Sequence, residues 1–164
     1  MSSTAAAIEI FNPPGYPSLA ASYSHVSTVR ISPTKRFVSF AGQTATLSTA
    51  MPLADQVRAA LVNVDKCMAA AGVRKKDIVS NRQYVVELAS LSVEDSQARE
   101  RCLLEWWRRT EEERLLPPGT LIGVESLAHK ELLFEIEITC IADLLTDGNA
   151  FDGVLAHPYG SKKI

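Results

Sequence analysis

Eight apolar residues, Leu53, Val57, Ala60, Leu61, Val64, Cys67, Met68 and Ala71, recur at intervals of three and four, with Asp55, Arg58, Asn63, Asp65 and Lys66 between them. That period belongs to the α-helix, so the spacing predicts one amphipathic helix over about 52–71 with a single buried stripe. Pro52 suits the first turn, where a missing N–H costs nothing, and Gly72 sits where a left-handed C-cap belongs. A helix with one apolar stripe must lie on something, and the rest of the chain offers strands to carry it.

Before the helix, His25–Ile31 is rich in β-branched residues (Val26, Thr28, Val29, Ile31) and Ser32-Pro33-Thr34-Lys35 is a turn. Arg36–Ala41 follows as a second strand, and the pair reads as a β-hairpin. It ends in Gly42-Gln43, where the backbone is free to turn sharply. After the helix, Ile78–Val86 reads as a strand with polar residues in its middle. Ser92 before Val93-Glu94-Asp95 marks a second helix start, with acidic residues in the first turn. Leu103, Leu104, Trp106 and Trp107 are its apolar content, and the charge run Arg108–Arg114 reads as its solvated end. Pro117-Pro118-Gly119 stops it. Thr120–Glu125 and Leu132–Ile141 are further strands, joined by a turn at His129-Lys130-Glu131. Residues 1–23, with Asn12-Pro13-Pro14-Gly15-Tyr16-Pro17, read as an extended arm, and 143–164, with a turn at Thr146–Asn149, as a tail. The order β-β-α-β-α-β-β predicts one α+β domain over 1–142: a mixed sheet of five or six strands with two helices on one face.

With 164 residues there is room for one domain of ordinary core size. Seventeen basic against nineteen acidic residues give a net charge of −2, which disfavours nucleic acid as a partner. There is no Walker loop, no G-x-G-x-x-G and no G-x-S-x-G elbow. His25, His129 and His157 lack metal-ligand spacing, so neither metal nor cofactor is expected. Cys67, Cys102 and Cys140 form no C-x-x-C pair and predict reduced thiols. With no secretory leader and no apolar run of ~20 residues, a cytoplasmic setting is expected.

The other face of the sheet is more telling. Along the last strand Phe134, Ile136, Ile138 and Cys140 point one way, while Leu133, Glu135, Glu137, Thr139 and Ile141 point the other. The first set is core. The second places two carboxylates among aliphatics, a mixture typical of a face covered by another subunit. Glu135 and Glu137 stand roughly 6.5–7 Å apart by strand rise. If a partner dries that face, at least one of them has a raised pKa and can trade protons. Periodicity alone does not separate them, and it equally allows two ordinary carboxylates on an open sheet. Glu125 falls on what reads as the neighbouring strand, placed to join them.

These pieces together resemble the reactive-intermediate deaminase (Rid, or YjgF-like) family. The matching segments are Phe37-Val38-Ser39-Phe40-Ala41-Gly42-Gln43, the helix Gln56–Val64, Ala70-Ala71-Gly72-Val73 with Asp77-Ile78-Val79, Val124-Glu125, and Phe134–Ile138 with Ile141-Ala142, all within about residues 10–142. The resemblance implies a chorismate-mutase-like fold in a homotrimeric barrel, with a ligand cleft at each subunit interface. It also implies hydrolysis of 2-imino or enamine acids to 2-keto acids, the substrate carboxylate being held by a strand arginine. Here that arginine's place is Leu121, the cysteine two positions on is Gly123, and the serine before the Gly-Gln turn is Ala41. A leucine cannot imitate a bidentate guanidinium–carboxylate fork. The water-positioning glutamate matches Glu135, the pocket tyrosine matches Tyr23, and Arg101 falls near a polar position of the second helix, a candidate displaced cation.

The expected site is therefore Glu135 as general acid/base. Tyr23, Phe40, Ala41, Gly42, Gln43, Arg101, Leu121 and Gly123 line the substrate, and backbone groups near Gly42 and Gly123 hold an oxyanion or water. The expected substrate is small and neutral or apolar, reacting by proton transfer or hydrolysis at an imine, enamine, enol or carbonyl centre. A specialised biosynthetic pathway is a natural setting for such a variant. Two alternatives stay open: a non-catalytic ligand-binding or chaperone-like trimer, and a 2-imino acid deaminase with a displaced arginine.

Overall fold

A computed structural model describes residues 8–15, 22–46, 51–108 and 115–144. Seven strands and two helices follow in the order β1 (Ile8–Phe11), β2 (Val26–Arg30), β3 (Lys35–Phe40), β4 (Gln43–Thr44), α1 (Leu53–Ala71), β5 (Ile78–Val86), α2 (Val93–Arg108), β6 (Gly119–Val124) and β7 (Phe134–Asp143). The strands form one sheet in the order β1-β2-β3-β7-β5-β6, with β4 pairing β7 beyond the end of β3. All pairs are antiparallel except β5–β6, which is parallel because α2 carries the chain back between them. This is the expected mixed α+β sheet, with two more strands than the hairpin reading supplies.

One addition is β1. The arm over 1–23 contains a strand, Ile8–Phe11, paired with β2 in the register Ile8↔Val29 and Phe11↔Val26. Its apolar and polar residues do not alternate cleanly, because Ile8 and Ile10 point away from the core while Phe11 packs against it. The other addition, β4, is two residues long, too short for a periodicity argument. Strand β7 reaches Asp143, whose carboxylate pairs with Lys35 at 2.6 Å, so the sheet runs one residue past the expected domain edge. The expected end of the second helix beyond Arg108, the tail from 145 and His157 lie outside the described residues.

All eight residues of the helical stripe are buried, on Phe134, Ile136, Ile138, Val38 and Val26 of the sheet below. Helix α1 ends at Gly72 with φ 59° and ψ 41°, a left-handed position that glycine adopts without Cβ strain. Val73 N–H closes the turn on Met68 O at 3.0 Å. The last carbonyls of α1 then meet Arg36, a buried side chain of β3. Its Nη2 donates to Ala71 O at 2.7 Å and Gly72 O at 3.1 Å, and its Nε to Asp143 O at 3.1 Å. A cation at a helix C-terminus is favoured by the dipole as well as by these bonds. Helix α2 begins as expected, with Ser92 Oγ accepting from Asp95 N–H at 3.0 Å.

The thiols are free and buried, and burial pushes those of Cys67 and Cys140 up to about 12, which makes them inert packing groups. Trp106 is core, donating from Nε1 to Asp65 Oδ1 at 2.9 Å. No helix among the described residues is long and apolar enough to cross a membrane.

Candidate functional site

The alternation along β7 separates two surfaces. Phe134, Ile136 and Ile138 are buried beneath the helices, and Glu135, Glu137 and Thr139 point to the open face. Register then assigns the neighbours. Ser39 lies opposite Thr139, Arg82 opposite Glu137, and Tyr84 opposite Glu135, so all of these share the open face.

The two carboxylates differ in their partners. Glu137 accepts from Tyr84 OH at 3.1 Å and lies 3.6 Å from Arg82 Nη1. It also borders a groove of about 450 Å³ lined by Ser27, Ser39, Ala41, Arg82 and Thr139. Among the described residues no donor reaches the carboxylate of Glu135, which folds down over Gly42. A Cβ built on Gly42 would stand 1.8 Å from Glu135 Oε1. That position of the Glu135 carboxylate depends on the bare Cα of Gly42. The glycine's φ is not left-handed, so the sharp turn expected from the sequence is not its reason. Burial raises the pKa of Glu135, and the like charge of Glu137 raises it further.

Tyr23 belongs to the same corner. Its hydroxyl pKa is raised by burial and then by the charge of Glu135, and its ring packs edge-on to His25 with centroids 5.4 Å apart. His25, buried beneath it, is not among the site residues expected from the sequence. Its Nδ1 lies 3.3 Å from Gln43 Nε2, its backbone N–H donates to Asn12 Oδ1 at 2.9 Å, and burial lowers the imidazole pKa. Gln43 is buried on the core side, donating to Ala41 O at 2.7 Å. It fixes the turn that carries Ala41 and Gly42.

The remaining expected residues lie elsewhere. Phe40, expected to line the substrate, shares the parity of Val38 and packs its side chain into the core beneath the helices, while the residue also borders the groove beside Glu137. Leu121 lies opposite Gln83 and Gly123 opposite Val85. Both Gln83 and Val85 pair with core-facing residues of β7, so Leu121 and Gly123 face the helix layer, across the sheet from Glu135. Glu125 is also misplaced by the sequence reading. The parallel crossover makes β6 an edge strand paired only with β5, and β5 separates it from β7. Arg101 is exposed on α2, whereas Arg99, two residues earlier, is buried and donates from Nη1 to Gln83 Oε1 at 2.7 Å. The residues thus fall into two groups, Tyr23, Gly42 and Glu135 on one side of the sheet, and Gln83, Arg99 and Leu121 on the other. No group of three His, Cys, Asp or Glu among the described residues converges as metal ligands.

Known proteins share this arrangement of strands and helices. A structure from Mycobacterium tuberculosis, described as Rv2704, a member of the YjgF/YER057c/UK114 family, is 24% identical over 82% of this chain and 99% of its own, with a TM-score of 0.59. A protein of unknown function from Pseudomonas aeruginosa, PA3499, is 23% identical over 83% and 93%, with a TM-score of 0.68. The protein YJGH is 26% identical over 81% and 94%, with a TM-score of 0.60. No curated protein matches the chain. The Endoribonuclease L-PSP family model matches residues 16–142, from before Tyr23 to the penultimate residue of β7. With that match spanning both helices and every strand but β1, the chain belongs to the Endoribonuclease L-PSP, or YjgF, family.

Proposed function

We propose that the chain is an enzyme acting on a small molecule at an imine, enamine, enol or related carbonyl centre, with Glu135 as general acid/base. The observation that carries this reading is the contrast between the two carboxylates. Glu137 is held by Tyr84 and Arg82, while Glu135 is half-buried over Gly42 with a raised pKa and no donor among the described residues. A desolvated carboxyl without a fixed partner exchanges protons more readily than a paired one. On an imine, ionised Glu135 takes a proton from water as its oxygen adds to the C=N carbon. The protonated carboxyl then gives that proton to the nitrogen to form a carbinolamine; Glu135 next takes the carbinolamine's hydroxyl proton and passes it to the nitrogen as the C–N bond breaks and C=O forms, leaving a carbonyl compound and an amine or ammonia.

The working unit of this proposal is a homotrimer. The open face exposes Ile8, Ile10, Phe37 and Ile141, with Ile8 64% and Ile10 55% accessible. So much apolar surface on one sheet face is characteristic of a covered interface. Assembly also offers a way to join half-sites that one chain holds on opposite sides of its sheet, the Glu135 corner of one copy facing the β6 edge of the next. Light scattering should give about three times 17.9 kDa, and a concentration-independent monomer contradicts the assembly. An RNA-cleaving role, suggested by the family's description, finds no bulk positive field in a chain of net charge −2.

The test is ketone or keto-acid formation from imines generated in situ by an amine or amino-acid oxidase, compared with the spontaneous rate. Wild-type protein should accelerate at least one of them, and Glu135→Gln, with the same oligomeric mass, should not. Equal rates for the two proteins would remove the acid/base assignment and favour a binding role.

A further inference from the structure

We propose that the groove on the open face binds the hydroxylated body of a neutral small molecule, of the class of short polyols and sugars, with its reacting carbon toward the Glu135 corner. The groove holds about 450 Å³, within the range of roughly 300–1,000 Å³ in which small-molecule sites fall. Register shows how its polar wall is built. Ser27 of β2 lies opposite Ser39 of β3, and Ser39 opposite Thr139 of β7. Three side-chain hydroxyls therefore run straight across three adjacent strands, and all three residues line the groove. Each is half-buried, and among the described residues no group hydrogen-bonds their hydroxyls. Facing Ser and Thr side chains in a sheet commonly bond one another; here the row is left open to the groove.

The charged end of the groove selects against an ion. Glu137 Oε2 accepts from Tyr84 OH at 3.1 Å and lies 3.6 Å from Arg82 Nη1, which leaves Glu137 Oε1 and the Nε and Nη2 of Arg82 for a ligand. One guanidinium beside one carboxylate gives the groove no net charge. An anion that meets Arg82 also meets Glu137, and a cation at Glu137 also meets Arg82, whereas a hydroxyl donates to the one and accepts from the other. Ile10, opposite Ser27 on β1, supplies an apolar wall for the C–H face of such a ligand. The other end is fixed by sequence neighbours. Ser24 and Ala41 line the groove and adjoin Tyr23 and Gly42, the residues packed around Glu135. The place of the reacting carbon rests on the proposed function and narrows its neutral substrate to a hydroxylated one, while the binding is tested without turnover.

The full-length, assembled protein with ¹³C-labelled methyl groups is titrated with xylitol, with 1,5-pentanediol, which keeps the carbon chain but lacks the inner hydroxyls, and with pentanoate. Xylitol should shift the methyl resonances of Ile10, Ala41 and Thr139 saturably and leave those of Leu121, across the sheet, in place. Each of the other two compounds should bind about tenfold more weakly or worse. Ser39→Ala and Thr139→Val each remove one hydroxyl and should each weaken xylitol about fivefold. The proposal is overturned if xylitol moves none of the three methyl groups, if 1,5-pentanediol or pentanoate binds as tightly, or if both variants bind xylitol as wild type does. Should a variant fail to fold, the comparison of the three compounds on wild-type protein decides. A failed xylitol titration leaves the role of Glu135 standing, and a failed Glu135→Gln turnover test leaves the groove's ligand standing.

Discussion

Glu135 and Glu137 leave the same face of β7 two residues apart, yet their surroundings are opposite. Around Glu137 the sheet supplies a hydroxyl and a guanidinium, both from β5. Around Glu135 it supplies a glycine's bare Cα, an edge of Tyr23, and the repulsion of Glu137 itself. Tyr84 lies opposite Glu135 in register, but its hydroxyl reaches diagonally to Glu137. Alternation puts two residues on one face, and the cross-strand partners decide which is held and which is left without a donor.

The comparison breaks most visibly in catalysis. Glu135→Gln should reduce turnover by about 10²-fold or more, the usual scale for a general acid/base, while Glu137→Gln should cost less than about tenfold. Equal losses in steady-state assays would mean that the two carboxylates act as one unit. Next is Gly42→Ala. The new methyl displaces the end of a flexible Glu135 side chain, so turnover should drop by about tenfold with little change in Tm. A large drop in Tm would show instead that the turn cannot accept a Cβ.

A smaller effect concerns stability against pH. The folded-state pKa of Glu135 is raised, so the folded chain binds more protons than the unfolded one between the ordinary value of 4.5 and that raised value. Its contribution therefore penalises the fold as pH rises through this window and is absent below it. Glu135→Gln should raise Tm at pH 8 and leave it unchanged near pH 3, as read by thermal melts. The smallest expected change is Tyr84→Phe, which removes one exposed-side hydrogen bond worth about 1 kcal/mol or less and should leave turnover near wild type.

Much of this was legible in the residues. The α1 stripe, its glycine cap, the hairpin and the inward and outward sets of β7 follow from period alone, because each records a single buried face. What period does not record is which strand lies beside which. Glu125 was expected near Glu135, and the parallel crossover through α2 put it at the sheet's far edge. Phe40 and Leu121 are expected to line one site with Glu135, and strand parity puts both side chains across the sheet from it. Arg36 and Arg99 look alike as isolated letters in charged or polar surroundings. Only tertiary contacts distinguish a helix cap from a buried cation without an anion. Gly42 was read as a turn, while its actual constraint, the side chain of Glu135, is more than ninety residues away in sequence.

The most direct measurement is a ¹³C NMR titration of the Glu135 carboxyl in the assembled protein, with Glu135→Gln identifying the resonance. The midpoint should lie above the ordinary glutamate value of 4.5. In Glu137→Gln it should fall but remain above that value, because burial is the larger cause and the neighbouring charge the smaller. A midpoint at or below the ordinary value in the wild-type protein would contradict the account, since Glu135 would then be a plain surface carboxylate with no proton to trade.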